Sequence, residues 1–149
     1  MANLDLPALR ALDISFNNLS GPITDIVNSL PNLKTKNLEG NVGFFDMREY
    51  EVLIDAARNW GKVVPQEFVD QKVREGKINY DSNGRVRQLD LSSSKLNGII
   101  AEGLWDLTCL EELNIRLNNI SGSVSPSVGN LRSLKILNIS YLGIFTRRD

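Results

Sequence analysis

Two stretches of this sequence follow the same pattern of side chains. Residues 9–21 read LRALDISFNNLSG and residues 110–122 read LEELNIRLNNISG, with aliphatic residues, Asn-Asn, serine and glycine at matching places. The pattern recurs every 24 residues within each part of the chain, in units that begin at Leu6, Leu30, Asn83, Leu107 and Leu131. A fixed period of this length predicts a repeat protein, in which one small structural unit stacks on the next.

Each unit combines a strand pattern with a turn pattern, and we number its places from the first residue. Apolar residues at places 7 and 9, such as Leu12 and Ile14, predict a short strand with two inward side chains. The asparagine at place 12 is expected to turn the chain and to bond backbone groups of the neighbouring coil. The asparagines of this predicted ladder are Asn17, Asn41 and Asn118. Because one coil can bury its apolar face only against another, the sequence predicts an α/β solenoid.

The consensus of the repeat, LxxLxxLxLxxNxLxGxI, resembles that of the plant-type leucine-rich repeat. The stretches LSGPI (19–23) and GNLRSLKILNIS (129–140) are close to the consensus sequence of that class. The resemblance covers residues 4–45 and 83–145. It implies a non-enzymatic, receptor-like protein that recognises a protein or peptide on the concave face of the solenoid. It also implies the ectodomain of a receptor-like protein or receptor kinase, of which the chain would be a fragment, a trimmed gene model or a small stand-alone relative.

The middle of the chain, residues 46–82, breaks the period and reads as helices that lead into a hairpin. Asp46 with Glu49 three residues later resembles a capping box, and Pro65 suits the first turn of a second helix. Asn83-Gly84 between two strand-like runs predicts the hairpin turn. We therefore divide the chain into leucine-rich repeats at 1–45, this helical segment, and further repeats at 83–149.

Three interpretations of the helical segment remain open. Trp60 and the Gly84-Arg85-Val86 entry resemble the N-terminal cap of plant-type leucine-rich repeat proteins, although the paired cysteines of that cap are missing. Such a cap would cover the apolar end of the second set of repeats. An island, as in the steroid-hormone receptors of the plant receptor-kinase family, would instead help to form a pocket for a small ligand. The third interpretation is an unrelated insertion.

Composition excludes several classes of function. The net charge is −1, from 17 basic and 18 acidic residues, so no basic surplus favours nucleic acid as a partner. No apolar run is long enough to span a membrane. The chain has no histidine, the commonest general base and metal ligand, and its single cysteine, Cys109, has no partner for a disulfide or a zinc site. We expect neither an enzyme nor a cofactor or metal requirement.

The outward places of the strands are the candidate binding residues. Place 11 carries Phe16, Leu117 and Tyr141, and apolar side chains beside polar groups and an arginine resemble the chemistry of interface hot spots. Asp13 and Asp90 share place 8, where the alternative interpretation is a solvated strand face. The full predicted set comprises Asp13, Phe16, Asp90, Glu112, Asn114, Arg116, Leu117, Asn138 and Tyr141.

Two further expectations concern the surroundings of the chain. Three sequons, at Asn18, Asn119 and Asn138, would accept glycans if the protein is secreted. The receptor resemblance implies an extracellular or cell-surface location, while the chain shows neither a signal peptide nor cysteine pairs. An alternative function is a structural or assembly module, in which the open solenoid ends self-associate. Another is a receptor-kinase ectodomain fragment whose island binds a small ligand.

Overall fold

A computed structural model of the protein describes residues 6–23, 27, 29–41 and 43–140. Tyr141, one of the predicted binding residues, lies outside the described residues. The strands are β1 (Ala11–Asp13), β2 (Ser20–Pro22), β3 (Thr35–Asn37), β4 (Gly43–Phe45), β5 (Ile78–Tyr80), β6 (Val86–Asp90), β7 (Asn97–Ile99), β8 (Glu112–Asn114), β9 (Asn119–Ser121) and β10 (Ile136–Asn138). The helices considered below are α1 (Met47–Asn59), α2 (Pro65–Arg74) and two 3-10 helices, Glu102–Asp106 and Pro126–Asn130.

The largest sheet has the strand order β10-β8-β6-β5. β6, β8 and β10 are parallel, and each residue pairs with the one 24 positions later, so that Leu89 faces Leu113 and Leu113 faces Leu137. Leu89 and Leu113 are fully buried, because the inward places of adjacent coils stack directly on one another. β5 is antiparallel to β6 and forms the other edge of the sheet.

The first set of repeats forms its own small sheets. β1 pairs in parallel with β3, and β2 pairs in parallel with β4. In the second set the matching pair after the turn is β7 with β9. Lys36, which the repeat template places inward, is exposed in β3, as are the other residues of that strand. This coil is therefore open on the side that faces the hairpin.

Both helices begin at the residues that the sequence favours. Asp46 is the N-cap of α1, and its Oδ1 accepts the N–H of Glu49 at 3.1 Å. The Glu49 carboxylate does not complete the capping box, because it accepts the backbone N–H of Val86 instead. Pro65 is in the first turn of α2, where its missing N–H would have no helical partner.

The hairpin joins the helical segment to both sets of repeats. In its turn, Oδ1 of Asp81 accepts the backbone N–H groups of Asn83 and Arg85. Gly84 has φ +77°, and a Cβ there would lie 2.7 Å from the carbonyl carbon of Phe45. Its own carbonyl accepts the N–H of Asp46 at 2.7 Å. The turn therefore requires glycine both for its backbone angle and for the close approach of the first set of repeats.

Two separate groups of buried side chains hold the fold together. The larger one runs from α1 through the sheet to the second 3-10 helix and includes Leu53, Trp60 and Leu113. Trp60 is anchored there because its Nε1 donates to the carbonyl of Ile99 at 2.8 Å. The smaller group, built on Ile23, Leu38 and Phe44, belongs to the first set of repeats. Among the described helices, none has the length and apolar character needed to cross a bilayer.

Candidate functional site

The outward face of the sheet β10-β8-β6-β5 carries four of the nine predicted binding residues, Asp90, Glu112, Asn114 and Asn138. Two rows of side chains cross it at right angles to the strands. One row comprises Asn79, Gln88, Glu112 and Ile136, and the other comprises Asp90, Asn114 and Asn138. Asp13 and Phe16 belong instead to the first set of repeats, whose β1–β3 sheet is separate. The predicted residues are therefore distributed over two surfaces.

Hydrogen bonds connect part of the first row. Nδ2 of Asn79 donates to Oε1 of Gln88 at 2.5 Å, and Nε2 of Gln88 donates to Oε2 of Glu112 at 3.2 Å. The next position in the row is Ile136, which is 53% exposed. This row presents a fixed polar surface followed by an apolar side chain, a combination suited to a protein partner.

The second row has a local structural task that the sequence analysis missed. At place 8, Oδ1 of the Asp or Asn accepts the backbone N–H two residues later. The pairs are Asp13 with Ser15, Asn37 with Glu39, Asp90 with Ser92, Asn114 with Arg116, and Asn138 with Ser140. These side chains shape the turn after each strand. Every unit has Asp or Asn at place 8, and this recurrence is the sequence signal from which the turn bonds could have been predicted.

Asp13 shows the electrostatic consequence of this turn. Its Oδ1 accepts hydrogen bonds from the hydroxyl of Ser15 at 2.6 Å and from the backbone N–H of Ser15 at 3.0 Å. These bonds stabilise the ionised carboxylate and lower its pKa below the usual value. Asp13 therefore stays ionised at neutral pH, as a fixed charge rather than as a proton donor.

Place 11 has an unusual backbone conformation. Phe16, Ser93 and Leu117 have φ values of 54°, 50° and 58°, in the left-handed region that most side chains disfavour. This conformation lets each backbone N–H donate to the neighbouring coil, for example from Leu117 to the carbonyl of Ser140. Phe16 is 73% exposed and Leu117 is 46% exposed. At Phe16 and Leu117 the repeat thus projects an apolar side chain outward from a fixed backbone.

Arg116 lies next to this apolar position. It is half-buried, its backbone N–H is fixed by Asn114, and its carbonyl accepts the N–H of Ser93. Arg116 and Leu117 together place a cation and an exposed apolar group at one end of β8. Because the two residues are consecutive in the sequence, their proximity could be predicted from the sequence alone.

The asparagines at place 12 differ in their contacts. Oδ1 of Asn118, which is 7% exposed, accepts the N–H groups of Ser94 and Leu96 in the preceding coil. Its Nδ2 donates to the carbonyls of Leu91, Ile115 and Arg116. Asn41 makes the same type of contacts with Leu19 and Ile14. Among the described residues, the Nδ2 of Asn17 donates only to carbonyls of its own coil, those of Ile14 and Ser15.

An ion pair between buried Glu49 and half-buried Arg85 fixes the helical segment against the second set of repeats. Oε2 of Glu49, a residue only 6% exposed, accepts from Nε of Arg85 at 2.6 Å, and Oε1 accepts from the Val86 N–H at 2.7 Å. Arg85 also donates to the hydroxyl of Thr108. Glu49 favours the charged guanidinium and so raises the pKa of Arg85. The sequence gives no local signal for this contact, because its partners are far apart in the chain.

The sequon asparagines occupy different surroundings. Asn18 and Asn119 are exposed, and Nδ2 of Asn119 donates to Asn97 at 3.2 Å. Asn138 is half-buried on the sheet, and its Oδ1 accepts both the N–H and the hydroxyl of Ser140. Among the described residues, no group of three His, Cys, Asp or Glu side chains is arranged to hold a metal ion. Cys109 is a half-buried free thiol.

Comparison with known proteins agrees with the repeat pattern. The family model described as Leucine Rich Repeat matches residues 8–33 and 109–131. The phytosulfokine receptor 1 of Arabidopsis thaliana is 37% identical over 62 residues, which are 42% of this chain and 6% of the receptor. No solved structure matches the chain significantly.

Two further relatives are inhibitors. The polygalacturonase inhibitor 1 of Arabidopsis thaliana is 35% identical over 60 residues, which are 40% of this chain and 18% of the inhibitor. The polygalacturonase inhibitor of Vitis vinifera is 34% identical over 58 residues, or 38% of this chain and 17% of the inhibitor. The chain thus matches only a minor part of each relative. Together, the family match and these relatives show that the chain contains leucine-rich repeats similar to those of plant proteins.

Proposed function

We propose that the chain recognises a protein or peptide through the outward face of the sheet β10-β8-β6-β5, which is the concave face of a solenoid with a 24-residue repeat. The observation that carries this proposal is the polar row from Asn79 to Glu112, fixed by hydrogen bonds and followed by exposed Ile136. A preorganised face of this kind binds with little loss of side-chain freedom. The function is binding and not catalysis.

Arg116 and Leu117 are the proposed energetic centre of this face. Arginine is enriched among the few side chains that provide most of the affinity of a protein interface. Leu117 stands in a strained backbone conformation, and a binding role gives a reason for an exposed apolar residue there. Glu112, Asn114, Asp90 and Asn138 would form the polar surroundings. Phe16 and Asp13 would belong to a second, smaller surface.

We assign the helical segment 46–82 as a cap of the second set of repeats. β5 covers the edge of β6, and α1 adds Leu53 and Trp60 to the core of that set. The Glu49–Arg85 ion pair then fixes the segment in place. A cap supported in this way covers the apolar end that an open stack of repeats would expose. If the protein is exported, Asn18 and Asn119 are the more accessible glycan acceptors.

The relatives provide two ligands for a direct test. One is a polygalacturonase, whose activity is followed with and without the chain, and the other is phytosulfokine, whose binding is measured by calorimetry. We expect Arg116→Glu with Leu117→Asp to weaken binding of a recognised ligand at least tenfold, or by about 1.4 kcal/mol. The control is Arg132→Glu, which changes an exposed charge outside the sheet. Equal affinities of the two variants would contradict the proposed face.

One observation favours a second candidate, self-association through the last described coil of the repeats. Leu137 occupies the same inward place as Leu89 and Leu113, yet it is 43% exposed in the last described strand. Pairing of two copies of this coil would bury the apolar surface around Leu137 without any other ligand. Light scattering over a concentration series distinguishes the candidates, because a Leu137→Glu change would abolish dimers and leave ligand binding on the face intact.

A further inference from the structure

The two inner strand edges of the protein face a common groove. β3 pairs with β1 on one side only, and β5 pairs with β6 on one side only. Within the described residues, these inner edges of β3 and β5 have no strand partner. An unpaired edge presents alternate N–H and C=O groups to whatever lies beside it. A gap therefore separates the β1–β3 sheet from the hairpin.

The gap is a continuous groove made of three adjoining cavities of about 390, 260 and 400 Å³. One wall is the end of β3 and the residues after it, from Lys36 to Asn41. The other wall is the hairpin turn from Tyr80 to Asn83. Leu38 lines all three cavities, which shows that they adjoin along one path. A groove with a strand edge as one wall has the shape of a site for an extended peptide.

Lys36 gives this groove a chemical preference. It occupies the inward place that holds leucine in the other units, but it is exposed and lines two of the cavities. Arg87 lines the third. Within the described part of the chain, neither side chain takes part in a hydrogen bond or ion pair. Both cations are therefore available to a ligand.

Three of the other charged groups of the groove already take part in contacts within the protein. Oδ1 of Asp81 accepts two backbone N–H groups of the hairpin turn, and Asp46 caps α1. Arg85 is held by Glu49. Glu39 is an exposed carboxylate that lines the second and third cavities. Among the described residues, Lys36 is thus the cation without a partner in the first two cavities, and Arg87 is the one in the third.

We propose that this groove binds an extended acidic peptide segment, which adds a strand to the edge of β3 and directs an Asp or Glu side chain at Lys36. An apolar residue at that position would leave the ammonium group desolvated and unpaired, which is unfavourable. A second copy of β3 is also disfavoured, because antiparallel pairing of two such edges brings the two Lys36 side chains together. The site is separate from the sheet face proposed above and does not depend on it.

The test uses the full chain and labelled peptides of about seven residues, the length of a typical strand. The peptides alternate threonine and valine and differ only at the centre, which is aspartate, leucine or lysine. Fluorescence anisotropy should show binding of the aspartate peptide, at least tenfold tighter than the leucine peptide. K36E should lose this preference and bind the lysine peptide better. K34E, which changes an exposed lysine of the same segment outside the groove, should behave as the native chain does.

Backbone pairing has its own control. An aspartate peptide that is N-methylated at alternate residues keeps the carboxylate but loses the donors of a strand, and it should bind at least tenfold more weakly. Equal binding of this peptide overturns strand addition. Absence of aspartate-peptide binding at about 1 mM, or an unchanged preference in K36E, overturns the site as a whole. Loss of binding by R116E with L117D but not by K36E would place the peptide on the sheet face, and it also overturns the proposal.

Discussion

At the level of single residues, the sharpest contrast lies between two asparagines at the same repeat place. Asn118 is buried and satisfies two N–H groups of the preceding coil and three carbonyls, whereas Asn17 is exposed and bonds only its own coil. We expect Asn118→Ala to lower the free energy of unfolding by about 3 kcal/mol, because buried polar groups lose their partners. Asn17→Ala should cost less than about 1 kcal/mol. Urea denaturation of both variants measures the difference, and equal losses would refute a bridging role for Asn118.

Tyr50 provides a prediction for alkaline pH. Burial, and then the hydrogen bond to Asp70, raise the pKa of Tyr50 from 10.0 to about 12. Because the folded-state pKa is the higher one, its contribution to stability is complete below pH 10 and is lost as the pH rises towards 12. We expect the melting temperature of the native chain to fall more over this range than that of Tyr50→Phe. Identical pH profiles would mean that the phenol contributes nothing to this loss.

At the level of elements, two glycines separate backbone conformation from packing. Gly76 and Gly84 have similar angles, φ +73° and +77°, but a Cβ meets nothing within 4 Å at Gly76 and backbone atoms of Phe45 and Asp46 at Gly84. Gly76→Ala should cost about 1 kcal/mol, the penalty of a left-handed alanine. Gly84→Ala should cost at least about 2 kcal/mol more, because the first set of repeats must move away. Thermal unfolding of the pair measures this, and equal costs would show that the approach relaxes freely.

The elements also show what a sequence of this kind can reveal. Spacing of leucines predicts the strand at β8, and Asp46 and Pro65 act at the start of their own helices, so their structural effects are encoded within a few residues. The turn at Gly84 is encoded locally as well, but its close approach to Phe45 is not. The Glu49–Arg85 ion pair joins groups 36 positions apart, so the sequence around either residue does not predict it. The turn bonds at place 8 were overlooked for another reason, since an outward polar side chain is usually taken as solvated. The binding partner is even harder to predict from the sequence, because the same fold serves as a scaffold for many partners.

At the scale of the whole molecule, the separation of the two buried groups predicts unequal stability. The first set of repeats depends on Ile23, Leu38 and Phe44, whereas the second shares one larger core with α1. A small core leaves little surplus over the entropy of ordering the chain. Backbone amides that link coils in the first set, Ile14 and Phe16, should therefore exchange with solvent faster than Leu91 and Ser93 in the second.

Two alanine substitutions in the buried groups test whether the molecule unfolds as one cooperative unit. Phe44→Ala removes a side chain that is 4% exposed, at a cost of about 3 kcal/mol. We expect it to abolish protection at Ile14 and Phe16 and to leave Leu91 and Ser93 unchanged in hydrogen exchange. Leu113→Ala, at a fully buried position, should lower protection at Leu91 and Ser93. Loss of protection throughout the described chain in Phe44→Ala would instead show that the hairpin contact at Gly84 couples both sets into one folding unit.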